Sequence, residues 1–209
     1  MHNRRSQFGM CSVSGCIFVA GGYNDEGNLD KCEVYNAESC KWVETSSMNT
    51  KRCSFALIYF QDEIWALGGF SNESSQDAIE TYNIADNRWT TVDTKLLSKR
   101  CGHSAVVHNK KFFVIGGVDQ GDFDENRELS SVEVYSSVTN QFSFVSPMSR
   151  ARVNFGCSVF NNKLVVFGGS VSATGITDSV EVYDIENDVW SEGPSLPLPL
   201  TGFGYANTD

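Results

Sequence analysis

The sequence predicts an all-β fold made of four successive repeats, each a four-stranded antiparallel sheet, over a chain of 209 residues. Three observations carry this prediction. Four short apolar runs each end in a Gly-Gly doublet, an Arg lies at a constant distance before every doublet, and a Glu-x-Tyr triplet follows each doublet. No segment shows the apolar period of 3.6 residues that an amphipathic helix needs, so strands are the expected elements.

The Gly-Gly doublets define the length of the repeat. Their second glycines are 47, 48 and 52 residues apart, and an Arg precedes each of them by 17 positions. A segment of constant length between Arg and doublet is typical of a rigid hairpin, which supplies the first two strands of each repeat. The doublets are Gly21-Gly22, Gly68-Gly69, Gly116-Gly117 and Gly168-Gly169, and the arginines are Arg5, Arg52, Arg100 and Arg152.

The third and fourth strands follow in the same order in every repeat. A Glu-x-Tyr triplet marks the third strand, and an aromatic residue seven positions after the Tyr marks the fourth. These residues are Glu33, Tyr35 and Trp42, then Glu80, Tyr82 and Trp89, then Glu133, Tyr135 and Phe142, then Glu181, Tyr183 and Trp190. The segment between the doublet and this third strand varies in length and is longest at Val118–Ser131. We expect it to be a surface loop, because insertions in loops cost little closure entropy.

Turn-forming residues lie where the predicted strands reverse. Asn109-Lys110 and Asn161-Asn162 fall between the first and second strands, and Asn residues tolerate the left-handed backbone of a tight hairpin turn. Asp86-Asn87, Asn140 and Asn187 fall before the fourth strand. Both positions support four antiparallel strands per repeat.

The combination of Gly doublet, Tyr and Trp at these offsets resembles the kelch repeat, and the resemblance covers nearly the whole chain. It implies a kelch β-propeller, with repeats at about 5–51, 52–99, 100–151 and 152–199 and the start of a fifth at 200–209. Each blade of a propeller buries its faces against its neighbours. The resemblance also implies that the doublets, the repeated Tyr and Trp residues and the Arg and Glu residues are structural. In the family the Glu pairs with an Arg at the start of a neighbouring first strand, and the alternative is a set of ligand-binding arginines.

The last residues resemble the beginning of one more repeat. Thr201-Gly202-Phe203-Gly204-Tyr205 looks like a first strand, with Leu200 at the position that Arg holds elsewhere. Family propellers most often have six blades, so we expect an incomplete propeller from a fragment or a truncated product. A closed ring of four blades is the alternative.

Composition disfavours two classes of partner. The formal net charge is −10 and the isoelectric point is about 4.7, so nucleic acid and anionic membrane would be repelled.

No run of apolar residues is long enough to cross a bilayer, and the first residues do not form a signal peptide. The seven Cys contain no C-x-x-C pair, which indicates reduced thiols and a cytoplasmic protein, with nuclear or cytoskeletal association as alternatives.

The sequence predicts neither an enzyme nor a cofactor nor a metal site. His103 and His108 are expected on opposite faces of one strand because their spacing is odd. Asp122-x-Asp124-x-Asn126 resembles the opening of a calcium loop, but Arg127 replaces the required Gly, so a solvated acidic loop is expected. Cys53 and Cys101 each follow a repeat Arg, which leaves a redox-sensing thiol of lowered pKa as the alternative to a packed small side chain.

The lead sequence Pro147-Met148-x-x-x-Arg152 resembles that of animal BTB-kelch proteins. In those proteins a BTB-BACK region binds a cullin scaffold while the propeller selects a protein for ubiquitination. The 209 residues of this chain do not include a BTB-BACK region. The resemblance therefore implies a substrate-recognition module that binds a protein or peptide. A cytoskeletal, actin-binding module is the alternative. The expected partner-binding residues lie after the doublets and at the first strands: Gln7, Tyr23, Asp25, Ser54, Phe70, Asn72, Asn154 and Ser170.

Overall fold

The computed structural model describes residues 1–121, 126–172 and 174–204. The chain divides into two compact units, Met1–Cys101 and Gly102–Asp209. All regular elements of the described residues are β-strands, and within them no helix is present that could cross a membrane. The predicted all-β class is therefore confirmed.

The first unit contains two four-stranded antiparallel sheets, blade 1 and blade 2. Their strand orders are β1-β2-β5-β6 and β7-β8-β11-β12, and two short hairpins, β3–β4 and β9–β10, follow the Gly doublets. The strands are β1 (Gly9–Val13), β2 (Cys16–Ala20), β3 (Tyr23–Asn24), β4 (Gly27–Asn28), β5 (Cys32–Asn36), β6 (Lys41–Thr45), β7 (Ala56–Phe60), β8 (Glu63–Leu67), β9 (Phe70–Ser71), β10 (Ser74–Ser75), β11 (Ile79–Asn83) and β12 (Arg88–Val92).

The second unit repeats this plan as blade 3 and blade 4. The orders are β13-β14-β17-β18 and β19-β20-β23-β24, with hairpins β15–β16 and β21–β22. The strands are β13 (Ser104–His108), β14 (Lys111–Ile115), β15 (Val118–Gln120), β16 (Asn126–Glu128), β17 (Val132–Ser136), β18 (Gln141–Val145), β19 (Gly156–Phe160), β20 (Lys163–Phe167), β21 (Ser170–Val171), β22 (Gly175–Ile176), β23 (Val180–Asp184) and β24 (Val189–Gly193). The four four-stranded antiparallel sheets that the sequence predicts are thus confirmed.

The hairpin turns explain why the first two strands have a constant length. Asn109 has φ of 55° and joins β13 to β14, and Asn161 and Asn162 have φ of 49° and 60° between β19 and β20. Two consecutive left-handed residues make the turn whose twist matches that of antiparallel strands. Gln61 and Asp62 adopt the same conformation, with φ of 50° and 64°, in blade 2.

The spacing of seven residues between Tyr and Trp places the two side chains directly opposite each other. Tyr82 pairs with Trp89 across β11 and β12, and their ring centroids are 5.2 Å apart. Tyr183 and Trp190 pair in the same way, at 4.9 Å. Directly opposed aromatic residues stabilise antiparallel strands, and this accounts for the aromatic repeat.

Within each unit the core lies between the two blades. Blade 1 contributes Phe18, which is 5.0 Å from Tyr82 of blade 2 between ring centroids. Phe113 of blade 3 lies 6.2 Å from Tyr183 of blade 4. Buried side chains of this size each contribute about 1.5–3 kcal/mol through removal from water. The first core comprises Phe18, Ala20, Cys32, Met48, Phe55, Leu57, Ile64, Ala66, Tyr82 and Trp89, and the second comprises Val106, Phe113, Ile115, Val132, Val134, Met148, Phe155, Cys157, Leu164, Val166 and Tyr183.

Residues 200–204 continue the repeat pattern as far as the structure describes them. The Leu200 carbonyl accepts a 2.7 Å hydrogen bond from the Gly169 N–H, as Arg carbonyls do in earlier repeats. Phe203 stacks on Phe167, with ring centroids 5.7 Å apart. Tyr205 and the residues after it lie outside the described residues, so a fifth first strand stays a prediction.

Candidate partner-binding surface

Within each unit, the Gly doublet of the first blade is joined to the start of the second blade. The Gly22 N–H donates to the Arg52 carbonyl at 2.9 Å, and the Gly117 N–H donates to the Arg152 carbonyl at the same distance. Gly21 has φ of 58°, and a Cβ there would lie 2.6 Å from the Arg52 oxygen. Only glycine allows this backbone conformation together with such a close approach.

The repeated Arg and Glu residues form buried ion pairs. Arg52 Nη2 lies 2.6 Å from Glu80 Oε1, with both side chains fully buried, and Arg52 Nη1 donates to the Gly68 and Ala78 carbonyls. Arg5–Glu33 and Arg152–Glu181 form the same contact at 2.7 and 2.6 Å. Arg100 and Glu133 are also fully buried. Charges buried to this extent need such partners.

The position of these pairs corrects one expectation. Arg52 precedes β7 and Glu80 lies on β11, so both belong to blade 2 rather than to neighbouring blades. The connection between blades comes from the Arg backbone instead, since the Arg52 N–H donates to Leu29 and its carbonyl accepts from Gly22. Arg52 therefore fastens blade 2 with its side chain and blade 1 with its backbone.

Hydrogen bonds keep Glu33 ionised despite its burial. Desolvation acts to raise the pKa of Glu33, but the His2 N–H, the Arg5 guanidinium and the Asn3 N–H donate to the carboxylate and lower it to about 2. The Asn49 and Thr50 N–H groups donate to Glu80 in the same way. The carboxylates of Glu33 and Glu80 thus hold in place the residues that lead into β1 and β7.

A second set of bonds between blades was missed in the sequence. The Trp89 indole N–H donates to the Ser46 carbonyl at 3.1 Å, while Asn87 Oδ1 accepts from the Ser46 N–H and the Tyr82 hydroxyl. Trp190, Ser146, Asp188 and Tyr183 repeat this arrangement in the second unit. The sequence does repeat a Ser two positions before Met48 and Met148, and this Ser could have indicated the bonds. These bonds use its backbone N–H and carbonyl, however, so they depend little on which side chain is present.

Three expected binding residues share one unusual backbone conformation. Gln7, Ser54 and Asn154 each lie two positions after a repeat Arg and have φ of 53°, 51° and 53°. Gly102 and Gly202 have φ of 61° and 62° at the equivalent position, which sequence reasoning did not single out. Left-handed non-glycine residues are uncommon and cluster at functional sites.

These left-handed residues are joined in series by backbone hydrogen bonds. In the first unit the Ser54 N–H donates to the Gln7 carbonyl at 2.8 Å, and the Ser54 hydroxyl lies 3.0 Å from Gln7 Oε1. In the second unit the Asn154 N–H donates to Gly102 at 2.8 Å, and the Gly202 N–H donates to Asn154 at 2.9 Å. The result is a rigid polar row in each unit.

The segments after the doublets are short hairpins attached to this row. Tyr23 pairs with Ser6, and Phe70 pairs with Cys53, each through an isolated β-bridge. In the second unit Ser170 pairs with Val153. The sequence predicted loops here, because strands of two or three residues carry no apolar alternation. The hairpins hold the expected residues on a fixed frame.

The structure therefore brings six of the expected residues together in the first unit. Tyr23, 50% exposed, and the half-buried Phe70 begin the two hairpins, and Asp25 and Asn72 lie exposed at their turns. The Asn28 side chain donates to the Phe70 carbonyl at 3.2 Å and links one hairpin to the other. We call these two hairpins with Gln7 and Ser54 the mouth surface. Asn154 and Ser170 occupy the equivalent places in the second unit.

Neither a sensing thiol nor a metal site finds support in the described residues. Burial raises the pKa of Cys53, contrary to the lowered value proposed for a redox sensor. Cys101 is buried and lies 3.4 Å from the Ser75 hydroxyl. No group of three or more His, Cys, Asp and Glu side chains within the described ranges could hold a metal ion. Asp122 and Asp124, which begin the segment that resembles a calcium loop, lie outside those ranges. Glu133, farther along the chain, is buried on β17.

Comparison with known proteins identifies the repeat. The model of the KLHDC2/KLHL20/DRC7 Kelch-repeats domain matches residues 1–117, and the Kelch motif matches residues 99–149 and 151–197. The chain belongs to the kelch-repeat family. Kelch-like protein 36 of Mus musculus is 26% identical over 207 residues, which cover 97% of this chain and 33% of that protein. Kelch-like protein 41a of Danio rerio is 30% identical over 193 residues, covering 89% and 31%.

Further comparisons extend the resemblance. Kelch repeat and BTB domain-containing protein 12 of Homo sapiens is 30% identical over 119 residues, 51% of this chain and 19% of that protein. The solved structure of YjhT superposes with a TM-score of 0.79 at 16% identity, covering 95% of this chain and 68% of that one. This similarity shows the fold that the two chains share. The chain spans about a third of the length of its first kelch-like relatives. These kelch relatives support a protein-interaction module, as the sequence predicts.

Proposed function

We propose that this kelch chain is the substrate-recognition part of a cullin-RING ubiquitin ligase adaptor and that it binds a cytoplasmic protein at the mouth surface. The observation that carries the proposal is the row formed by Gln7 and Ser54 with the adjoining hairpins. It presents exposed polar groups and the Tyr23 ring on a backbone fixed by hydrogen bonds. A preordered surface loses little entropy when a partner binds.

The ligase role rests on the resemblance to kelch-like proteins. In BTB-kelch proteins the propeller selects the protein that is ubiquitinated, and one relative carries a BTB domain in its name. The proposal therefore separates into binding by this chain and modification directed by a BTB-BACK region.

Binding is tested by proximity labelling with the chain and with a mouth variant, Gln7→Ala/Tyr23→Ala/Asn72→Ala. We expect the variant to lose a set of labelled proteins that a matched variant of the outer strands, Lys41→Ala/Glu44→Ala/Arg88→Ala, retains. Thermal unfolding of both variants verifies the fold. Equal labelling by the chain and the mouth variant would contradict the proposal.

Modification is tested by joining the chain to the BTB region of Kelch repeat and BTB domain-containing protein 12. We expect the captured proteins to become ubiquitinated in a cullin-dependent manner. Captured proteins that stay unmodified would refute the ligase role while leaving the binding role in place. Cosedimentation with actin filaments, reduced by the mouth variant, would instead favour the cytoskeletal alternative.

A further inference from the structure

Acidic residues of this chain are concentrated in the segments between the Gly doublets and the Glu-x-Tyr strands. Residues 23–31, 70–78, 118–131 and 170–179 contain eleven Asp and Glu but only two Lys and Arg. The whole chain has 26 acidic and 16 basic residues, so the remainder is nearly balanced. The four segments together therefore carry most of the net charge of −10, and the two of them that carry the mouth surface, 23–31 and 70–78, contain five acidic residues and one Lys.

The acidic side chains of the first-unit hairpins face solvent without basic partners. Asp25, Glu26 and Glu73 are exposed at the turns of β3–β4 and β9–β10, and they form no ion pair within the described residues. Glu33 and Glu80, by contrast, bind buried arginines. Unpaired like charges on adjoining rigid turns repel one another, and a cationic partner relieves that repulsion.

An aromatic ring provides a second, apolar contact at the same place. Tyr23 is 50% exposed, although its backbone is fixed by two hydrogen bonds to Ser6. A guanidinium binds flat on an aromatic ring and donates to carboxylates at its edge, whereas an ammonium group is a hydrated point charge. A Tyr ring on the same short hairpin as Asp25 and Glu26 thus fits Arg better than Lys.

We infer that the mouth surface takes a basic segment of its protein partner, in which an Arg stacks on Tyr23 and neighbouring cationic residues pair with Asp25, Glu26 and Glu73. This inference rests on the proposed binding function and assigns the chemistry of the partner. Complementary charge accelerates encounter and selects the partner, and it makes binding sensitive to salt.

The test is selection of random displayed peptides on the intact chain, followed by affinity measurement with the most enriched synthetic peptide. We expect enrichment of Arg and Lys and binding that weakens as salt is raised. The variant Asp25→Asn/Glu26→Gln/Glu73→Gln should raise the Kd by roughly 3- to 30-fold, because exposed ion pairs are individually weak. Tyr23→Ala should also weaken binding, and Tyr23→Phe should retain it.

The matched control neutralises the same number of exposed acids at the outer edge of the same blades, Glu38→Gln/Glu44→Gln/Asp86→Asn. Its Kd should equal that of the unaltered chain. Enriched peptides that are acidic or uncharged, equal binding of a scrambled peptide, or equal affinity of the peptide for Asp25→Asn/Glu26→Gln/Glu73→Gln and for the unaltered chain would overturn the basic-partner inference and leave the proposed function standing. If the selection enriched no peptide that binds the mouth surface, both the basic-partner inference and the proposed function would be overturned.

Discussion

At the scale of single residues, the buried Arg–Glu pairs are the contacts on which the repeats depend. Arg52 meets Glu80 at 2.6 Å with both side chains fully buried, and its other nitrogen binds two carbonyls. Burial lowers the pKa of Arg52, although Glu80 opposes this effect. A buried pair adds modest net stability, but removing one partner leaves an isolated charge in a medium of low dielectric constant.

Replacing Arg52 tests this asymmetry. We expect Arg52→Ala to lower the free energy of unfolding by about 3–5 kcal/mol, because Glu80 then stays buried without its cation. Urea denaturation measures the change. Arg150→Ala is the control, since Arg150 pairs with Glu192 at the exposed surface at 3.2 Å, and its loss should cost less than about 1 kcal/mol. Equal losses would contradict the burial argument.

Acid titration tests the pair of blade 1. The pKa of Glu33 is lowered from 4.5 to about 2, so its stabilisation is present above the unfolded value and is lost as pH falls toward the folded value. We expect Glu33→Gln to destabilise the chain at neutral pH, and the difference from the unaltered chain should shrink as pH falls below about 4.5. Urea midpoints across this range measure it. A difference independent of pH would show that the carboxylate charge contributes nothing.

At the scale of elements, equivalent strand positions have different surroundings although their sequences match. Ile17 on β2 is 39% exposed, whereas Ile64, its counterpart on β8, is fully buried. Ile64 lies in the core between blades 1 and 2 with Phe18 and Tyr82. The repeat sequence therefore specifies a sheet, and the neighbouring blade decides how much each face is buried.

Matched substitutions separate these two contributions. Ile64→Ala should cost about 2–5 kcal/mol, because it removes buried methyl groups and leaves a cavity. Ile17→Ala should cost less than about 1 kcal/mol, as is usual for surface positions. Thermal and urea unfolding of both variants provide the comparison. An equally large loss at Ile17 would mean that its face is covered in solution.

The sequence predicts the four main strands of each blade because each carries a strong local signal. Asn161-Asn162 determines a turn, the doublet ends the second strand, and Tyr183 with Trp190 fixes the register of the last two. The hairpins after the doublets could not be predicted, since they owe their shape to bridges such as Tyr23 with Ser6, which are distant in sequence. The Ser46 bonds were missed because they use its backbone N–H and carbonyl, which leave little trace in side-chain identity.

At the scale of the whole molecule, the residues that build the blades and the residues that carry the net charge lie in different parts of each repeat. The repeated Arg, Gly-Gly, Glu and Tyr residues build the blades, while the segments after the doublets differ in length and carry most of the net charge. Such a division lets rigid sheets position variable segments for recognition. The mouth surface of the first unit, with Tyr23, Asp25 and Asn72, is where we place the partner.

Hydrogen exchange by mass spectrometry, with and without the enriched peptide, tests that placement most directly. We expect added protection at residues 6–7 and 53–54 and in the hairpins β3–β4 and β9–β10, because bound backbone opens less often. Strands β6 and β12, at the outer edge of the same blades, should exchange unchanged. Protection confined to β6 or β12, with the hairpins unaffected, would contradict partner binding at the mouth surface.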